Sequence, residues 1–106
     1  MINKNKWVDI SPQEVEQKIK KREEVQLIDV REVEEYRVSR VPGSRLIPLG
    51  QLDVRHIDID RNKEVIVICR SGSRSARACE YLSLLGFSNL KNMTGGMLKW
   101  EGEIEK

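Results

Sequence analysis

A chain of 106 residues, 39% of them hydrophobic, is sized for one domain over residues 1–106 with one buried core, and is large enough to do without disulfide staples. Charged residues make up 34%, but 19 basic against 17 acidic leaves a net charge of +2, too little to argue for nucleic acid or a membrane surface as partner. Two cysteines and one histidine exclude a disulfide framework and a zinc site of recognisable spacing, and no stretch approaches the roughly 18 apolar residues of a membrane span.

The stretch Met1 to Trp7 has no apolar segment of signal-peptide length, so a reducing, cytoplasmic setting is expected. Trp7 to Ile10 alternates and is short, which predicts an edge strand. Ser11, Pro12 and Glu14 supply an N-cap, a proline at the first helical position and a capping-box glutamate for a helix to about Arg22, with Val15 and Ile19 on one face. Val25 to Val30 is predicted as the second strand, ending in the polar cluster Asp29-Val30-Arg31, and Glu32 to Tyr36 as a short helix. Pro42-Gly43-Ser44 turns the chain, and Leu46-Ile47 is a brief third strand closed by Pro48. Gly50 to Asn62 fits no single period and is read as short helix plus loop; His56, inside it, is assigned no role.

Val65 to Ile68 is an apolar β-branched run, long enough for a buried strand and too short for a helix. It stops at Cys69. From about Arg74 a helix is predicted with Ala78, Cys79, Leu82 and Leu85 on one face, and Gly86 is placed to end it as a left-handed cap. Asn89 to Met93 is a fifth strand, Thr94-Gly95-Gly96 a break, and a last helical turn carries Met97 and Trp100. Alternation of strands and helices predicts an α/β domain whose parallel sheet is covered on both faces.

Cys69 thus sits at the carboxyl edge of a central strand and the start of a helix, where ligands bind in such sheets. The helix N-terminus and the guanidinium groups of Arg70 and Arg74 would both favour its thiolate. Ser71, Gly72 and Ser73 are small enough for the backbone to curl and aim successive N–H groups at one point. The hydroxyls of Ser71, Ser73 and Ser75 are further donors, unless one caps the helix. Arg70, Arg74 and Arg77 lie close together with no acid among them, which predicts a focused anion site; Arg77 extends its rim or lies on a solvated helix face. No histidine or carboxylate is placed by the sequence as a general base. A reaction that a ready thiolate performs alone is therefore expected, such as displacement at divalent sulfur with sulfite leaving.

The loop Cys69-Arg70-Ser71-Gly72-Ser73-Arg74-Ser75 resembles the active-site loop of the rhodanese family of sulfurtransferases. Leu27-Ile28-Asp29-Val30-Arg31-Glu32 with Glu35-Tyr36, Val41-Pro42-Gly43-Ser44 with Ile47-Pro48, and Gly95-Gly96-Met97 with Trp100 resemble the family's other signatures, in the same order. The resemblance implies a rhodanese-like three-layer domain with a central, mostly parallel five-stranded sheet flanked by helices. It implies that Cys69 takes a sulfane sulfur from thiosulfate or another small anionic donor, holds it as a persulfide, and passes it to cyanide, a thiol or a protein thiol. Arg70 and Arg74 would bind the donor, the amides of Ser71, Gly72, Ser73 and Arg74 would hold the transferred sulfur, and Asp29 and Arg31 would be supporting residues. It implies no metal and no organic cofactor. Arg40 stands where the family commonly has histidine, a departure that touches the rim of the pocket. Cys79, on the apolar helix face, is read as a buried structural thiol and Trp100 as core. Asp29 with Arg31 is read as an architectural ion pair, and the glycine pair as serving backbone geometry. Two rival readings are a cysteine phosphatase or arsenate reductase, whose loops are one residue longer between cysteine and arginine, and a non-catalytic module of the same fold.

Overall fold

The computed structural model describes residues 6–106; residues 1–5, on which part of the expectation about the N-terminal stretch rests, lie outside the described residues. In chain order the elements are β1 (Val8–Ile10), α1 (Pro12–Lys20), β2 (Val25–Asp29), α2 (Val33–Val38), β3 (Arg45–Leu46), α3 (Leu52–Arg55) between two single 3₁₀ turns, β4 (Glu64–Ile68), α4 (Ser73–Leu84), β5 (Leu90–Met93) and a closing 3₁₀ turn, Gly96–Lys99. The five strands form one sheet in the order β1-β5-β4-β2-β3, with every neighbouring pair parallel. The expected "mostly parallel" sheet is thus wholly parallel, and β4 lies at its centre. Among the described residues no helix is long and apolar enough to cross a membrane.

Side-chain alternation along β4 divides the interior in two. Val65 and Val67 point to one face with Ile28, Val30, Ala78, Cys79, Leu82 and Leu90, while Ile66 and Ile68 point to the other with Ile10, Val15, Leu27, Val41 and Met93. Each of these four β4 side chains is at most 1% exposed, and burial of this kind stabilises by about 1.5–3 kcal/mol per side chain. The same parity, continued one residue, sends the Cys69 side chain to the face covered by α4.

Element boundaries moved where a local device overrides periodicity. Helix α1 begins as predicted, with the Ser11 hydroxyl accepting from the Glu14 amide and the Glu14 carboxylate accepting from the Ser11 amide, but it ends at Lys20, before Arg22 takes φ +57°. The short helix predicted over Glu32 to Tyr36 is α2, Val33–Val38, with Glu32 outside it as N-cap. The third strand is Arg45–Leu46, one residue earlier than expected, because Pro48 cannot continue the ladder; Ile47 still donates to the Asp29 carbonyl. Gly86 ends α4 with φ +100°.

Candidate active site

Strand β4 stops at Ile68, and the four residues after it form the loop that turns into α4. Gly72 is the N-cap with φ +103°, a conformation that calls for glycine, and a Cβ there would sit tightly, 3.2 Å from the Gly95 amide nitrogen. The turn carries the Cys69 sulfur beneath the first turn of α4. There it is fully buried, with the Gly72 N–H donating to it at 3.0 Å and the Ser75 hydroxyl 3.3 Å away.

Burial alone pushes this thiol up. The Ser75 hydroxyl and the amides of Ser75, Gly72 and Ser71 outweigh burial, and the net effect is a pKa below the ordinary cysteine value. The leading favourable influences are therefore N–H and O–H dipoles at the helix start, one of the two expected from the sequence, rather than the guanidinium charges, which were the other. Of the amides expected at the sulfur, that of Gly72 donates to it and that of Ser71 helps to lower its pKa, as does the amide of Ser75, while Ser73 and Arg74 begin α4. Ser75 is fully buried, beside the sulfur and inside the helix rather than at its cap.

The two arginines part company. Arg70 is exposed on the rim of a cleft of about 350 Å³ that is also lined by Arg31, Glu35, Val38, Ser39, Met97 and Leu98. Arg74 makes a two-point ion pair with Glu35 of α2, its two Nη atoms 2.8 and 2.9 Å from the carboxylate oxygens. Its charge is committed to the fold, a consequence the sequence did not announce because Glu35 lies 39 positions earlier. Arg77 is exposed beside Asp53 and Tyr81, apart from the Arg70 rim.

Asp29 and Arg31 form the buried pair expected of supporting residues. The Asp29 carboxylate accepts from the Arg31 amide, Nε and Nη2, and Arg31 donates onward to the carbonyls of Glu35 and Ser39. The pair thereby holds α2, and α2 holds Glu35 against Arg74. Arg40 donates to the Tyr36 carbonyl, stacks 5.1 Å from its ring, and bridges its backbone to Glu105.

The glycine pair closes the site from below. With Gly95 at φ +74° and Gly96 at φ +57°, the following amides of Met97 and Leu98 donate to the carbonyls of Cys69 and Arg70 at 2.9 and 3.0 Å. Trp100 packs on the Ile10 and Val15 side of the sheet, and its Nε1 donates to the Glu103 carbonyl. Cys79 is buried in the other core, and burial, then the charge of Asp9, pushes its thiol up to about 12. His56 is engaged through Nδ1 with the Leu52 carbonyl.

Sequence reasoning missed Asn92 on β5. It is buried, its Oδ1 accepts from the Ser75 hydroxyl, and its Nδ2 donates to the carbonyl of Gly72 at 3.3 Å. The signal was present: Asn92 shares strand parity with Leu90, so a polar side chain stands on an inward-facing row.

The Glu35 to Arg74 pair carries a measurable pH signature. Arg74 first, with burial opposing and the Glu32 amide assisting, holds the Glu35 carboxyl at about 2 against an ordinary 4.5. A depressed carboxylate stabilises the fold above the ordinary value and loses that contribution as pH falls toward the folded one. Glu35→Gln is expected to cost about 1–2 kcal/mol near neutrality, after allowance for a partly exposed pair. In urea unfolding at a series of pH values, the gap to the unsubstituted protein should close between pH 4.5 and about 2. A gap independent of pH would remove the charge from the explanation.

A family model for the rhodanese-like domain matches residues 11–103. "Putative sulfurtransferase YtwF" of Bacillus subtilis (strain 168) is 42% identical over 97 residues, covering 92% of this chain and 93% of that protein. "Putative sulfur carrier protein YrkF" of the same organism is 37% identical over 97 residues, covering 92% of this chain and 52% of YrkF, so the chain spans about half the length of that relative. Among solved structures, a rhodanese-like domain protein from Staphylococcus aureus superposes with a TM-score of 0.85 at 32% identity, covering 92% of this chain and 95% of that one.

Proposed function

Because the chain belongs to the rhodanese-like domain family, we propose that it is a sulfurtransferase in which Cys69 carries the sulfur. The observation that carries this reading is a buried sulfur met by N–H and O–H donors, with its thiolate favoured and, among the described residues, no histidine or carboxylate hydrogen-bonded to it. The Cys69 thiolate attacks the sulfane sulfur of thiosulfate or a similar donor; a new S–S bond forms, the donor's S–S bond breaks, and sulfite leaves with the electron pair. Cyanide or an acceptor thiolate then attacks the outer sulfur of the persulfide, forming thiocyanate or a new persulfide and returning the Cys69 thiolate. The amides of Ser71, Gly72 and Ser75 and the Ser75 hydroxyl hold the negative charge while it resides on sulfur. Arg70, exposed at the rim, receives the anionic donor; Arg74, with Ser73 in the first turn of α4, keeps the loop in register through Glu35. Asp29 and Arg31 support that arrangement from the neighbouring strand end.

The phosphatase reading is disfavoured on geometry. Four residues separate Cys69 from Arg74, one fewer than in the phosphatase loops that cradle a tetrahedral oxyanion, and two of the Arg74 N–H donors are already engaged by Glu35. Two free cysteines suit a reducing, cytoplasmic setting, with residues 1–106 acting as one sulfur-transfer unit.

The test is an intact-mass spectrum after brief incubation with thiosulfate. A gain of about 32 Da, one sulfur atom, discharged by cyanide, is expected. No gain with thiosulfate or with a persulfide donor, on a folded protein, would overturn the reading.

A further inference from the structure

Ser75 touches the Cys69 sulfur on one side and Asn92 on the other, and a hydroxyl has a single proton to give. The orientation of Asn92 is set by its other contacts. Its Nδ2 faces the Gly72 carbonyl at 3.3 Å and the Asp9 carboxylate at 3.5 Å, both acceptors, which turns Oδ1 toward Ser75. The Ser75 proton therefore has two competing acceptors, one permanent and one whose strength changes with the state of the sulfur.

We propose that Asn92 is a positioning residue that competes with the Cys69 sulfur for the Ser75 proton, taking it when the sulfur is neutral or loaded and releasing it when the sulfur is a thiolate. When Cys69 is a thiol, its S–H donates to Ser75 Oγ and the Ser75 hydroxyl donates to Asn92. When the thiol proton leaves to solvent, the hydroxyl rotates toward the negative sulfur and Asn92 Oδ1 loses that donor. Once a second sulfur is attached, the inner sulfur is uncharged and a weak acceptor, and the hydroxyl returns to Asn92. No bond other than hydrogen bonds changes. The effect is to restrain the thiolate between turnovers and to withdraw a donor from the inner sulfur once the persulfide has formed.

The charged groups around this relay come from every neighbouring element. Asp9 on β1 lies beside Asn92, Arg74 on α4 is tied to Glu35 of α2, and the Asp29 and Arg31 pair at the end of β2 neutralises itself. Cys79, also on α4, stays protonated.

The inference rests on Cys69 being the reacting thiolate, but its test reads the sulfur's acidity and not sulfur transfer, so failure of the persulfide experiment and failure here are separate results. The Cys69 thiolate is titrated by its ultraviolet absorbance and by the pH dependence of its alkylation. With Ser75 present, Asn92→Leu should lower the apparent pKa by roughly half to one unit, because the hydroxyl is left to the sulfur alone. In the Ser75→Ala background the same substitution should leave it unchanged. A merely structural Asn92, needed to hold the Gly72 carbonyl, would give the opposite sign, since loosening the loop takes donors from the sulfur. An upward shift, no shift, or an equal shift in both backgrounds overturns the proposal. If Asn92→Leu does not fold, the unsubstituted protein decides. The side-chain carbonyl ¹³C resonance of Asn92 should move with the midpoint of the thiol titration, and should stay still in Ser75→Ala; a static resonance with Ser75 present overturns the proposal.

Discussion

Cys69→Ser is expected to reduce thiosulfate-to-cyanide transfer by at least about 10³-fold, to background, because a serine hydroxyl at this position stays protonated and does not attack divalent sulfur. The fold should survive. The new hydroxyl can accept from the Gly72 amide and share a hydrogen bond with Ser75, so the loss of stability should be about 1 kcal/mol. Cys79→Ser should show the reverse pattern. It introduces a hydroxyl into an apolar core beside Ala78 and Leu82, at a cost of about 1–3 kcal/mol, yet should retain most of the transfer. Steady-state transfer and thermal unfolding measured on both variants separate the two thiols. Equal damage to transfer from both, with both folded, would require a second thiol in the reaction. The pH dependence should follow the first thiol alone: transfer falls as pH drops through the lowered pKa of Cys69, while Cys79 stays protonated across that range.

The order of elements, the central strand and the turn from Cys69 into α4 were legible because each rests on residues adjacent in sequence. The β-branched run Val65 to Ile68 had to be buried on both faces, which put it in the middle of a parallel sheet and put Cys69 at its carboxyl edge. Ser71 and Gly72 were legible for the same local reason. What escaped is the set of partners that only the folded sheet brings together. The Arg74 guanidinium reads as free charge until α2 delivers Glu35, and the sheet delivers Asn92 to Ser75 from β5, 17 positions away. Both omissions concern the partners that balance charge and hydrogen bonds. Of the two influences expected to favour the thiolate, the dipoles at the helix start carry the weight and the guanidinium groups do not.

That account makes loop shape the quantity to protect. Dipoles act over short distances and lose their effect when they turn, whereas a net charge tolerates displacement. The loop is accordingly clamped on two sides. The Asp29 and Arg31 pair holds α2 and so Glu35 against Arg74, and the turn after β5 holds the carbonyls of Cys69 and Arg70.

Gly96→Ala tests the second clamp and should lower stability and transfer together. A Cβ at this position would lie within 2.5 Å of the Arg70 carbonyl carbon and oxygen, and the backbone atoms it meets cannot swing aside as a side-chain tip could. The positive φ of +57° adds about 1 kcal/mol for a residue with a side chain. The larger cost is displacement. The Met97 and Leu98 amides must retreat from the Cys69 and Arg70 carbonyls, leaving buried acceptors without partners and shifting the segment that bears the sulfur. Together these predict a loss of about 3–4 kcal/mol in denaturant unfolding and at least about 10-fold in transfer on the fraction that remains folded. Gly50→Ala is the control, since a Cβ there meets open space and should leave both measurements unchanged within error. If Gly96→Ala lowers stability but not the transfer rate of the folded fraction, the glycine serves the fold alone and the dipoles at the sulfur do not depend on this turn. If both fall together, and the Cys69 thiol pKa rises with them, the carbonyl clamp is what keeps the donors aimed at the sulfur.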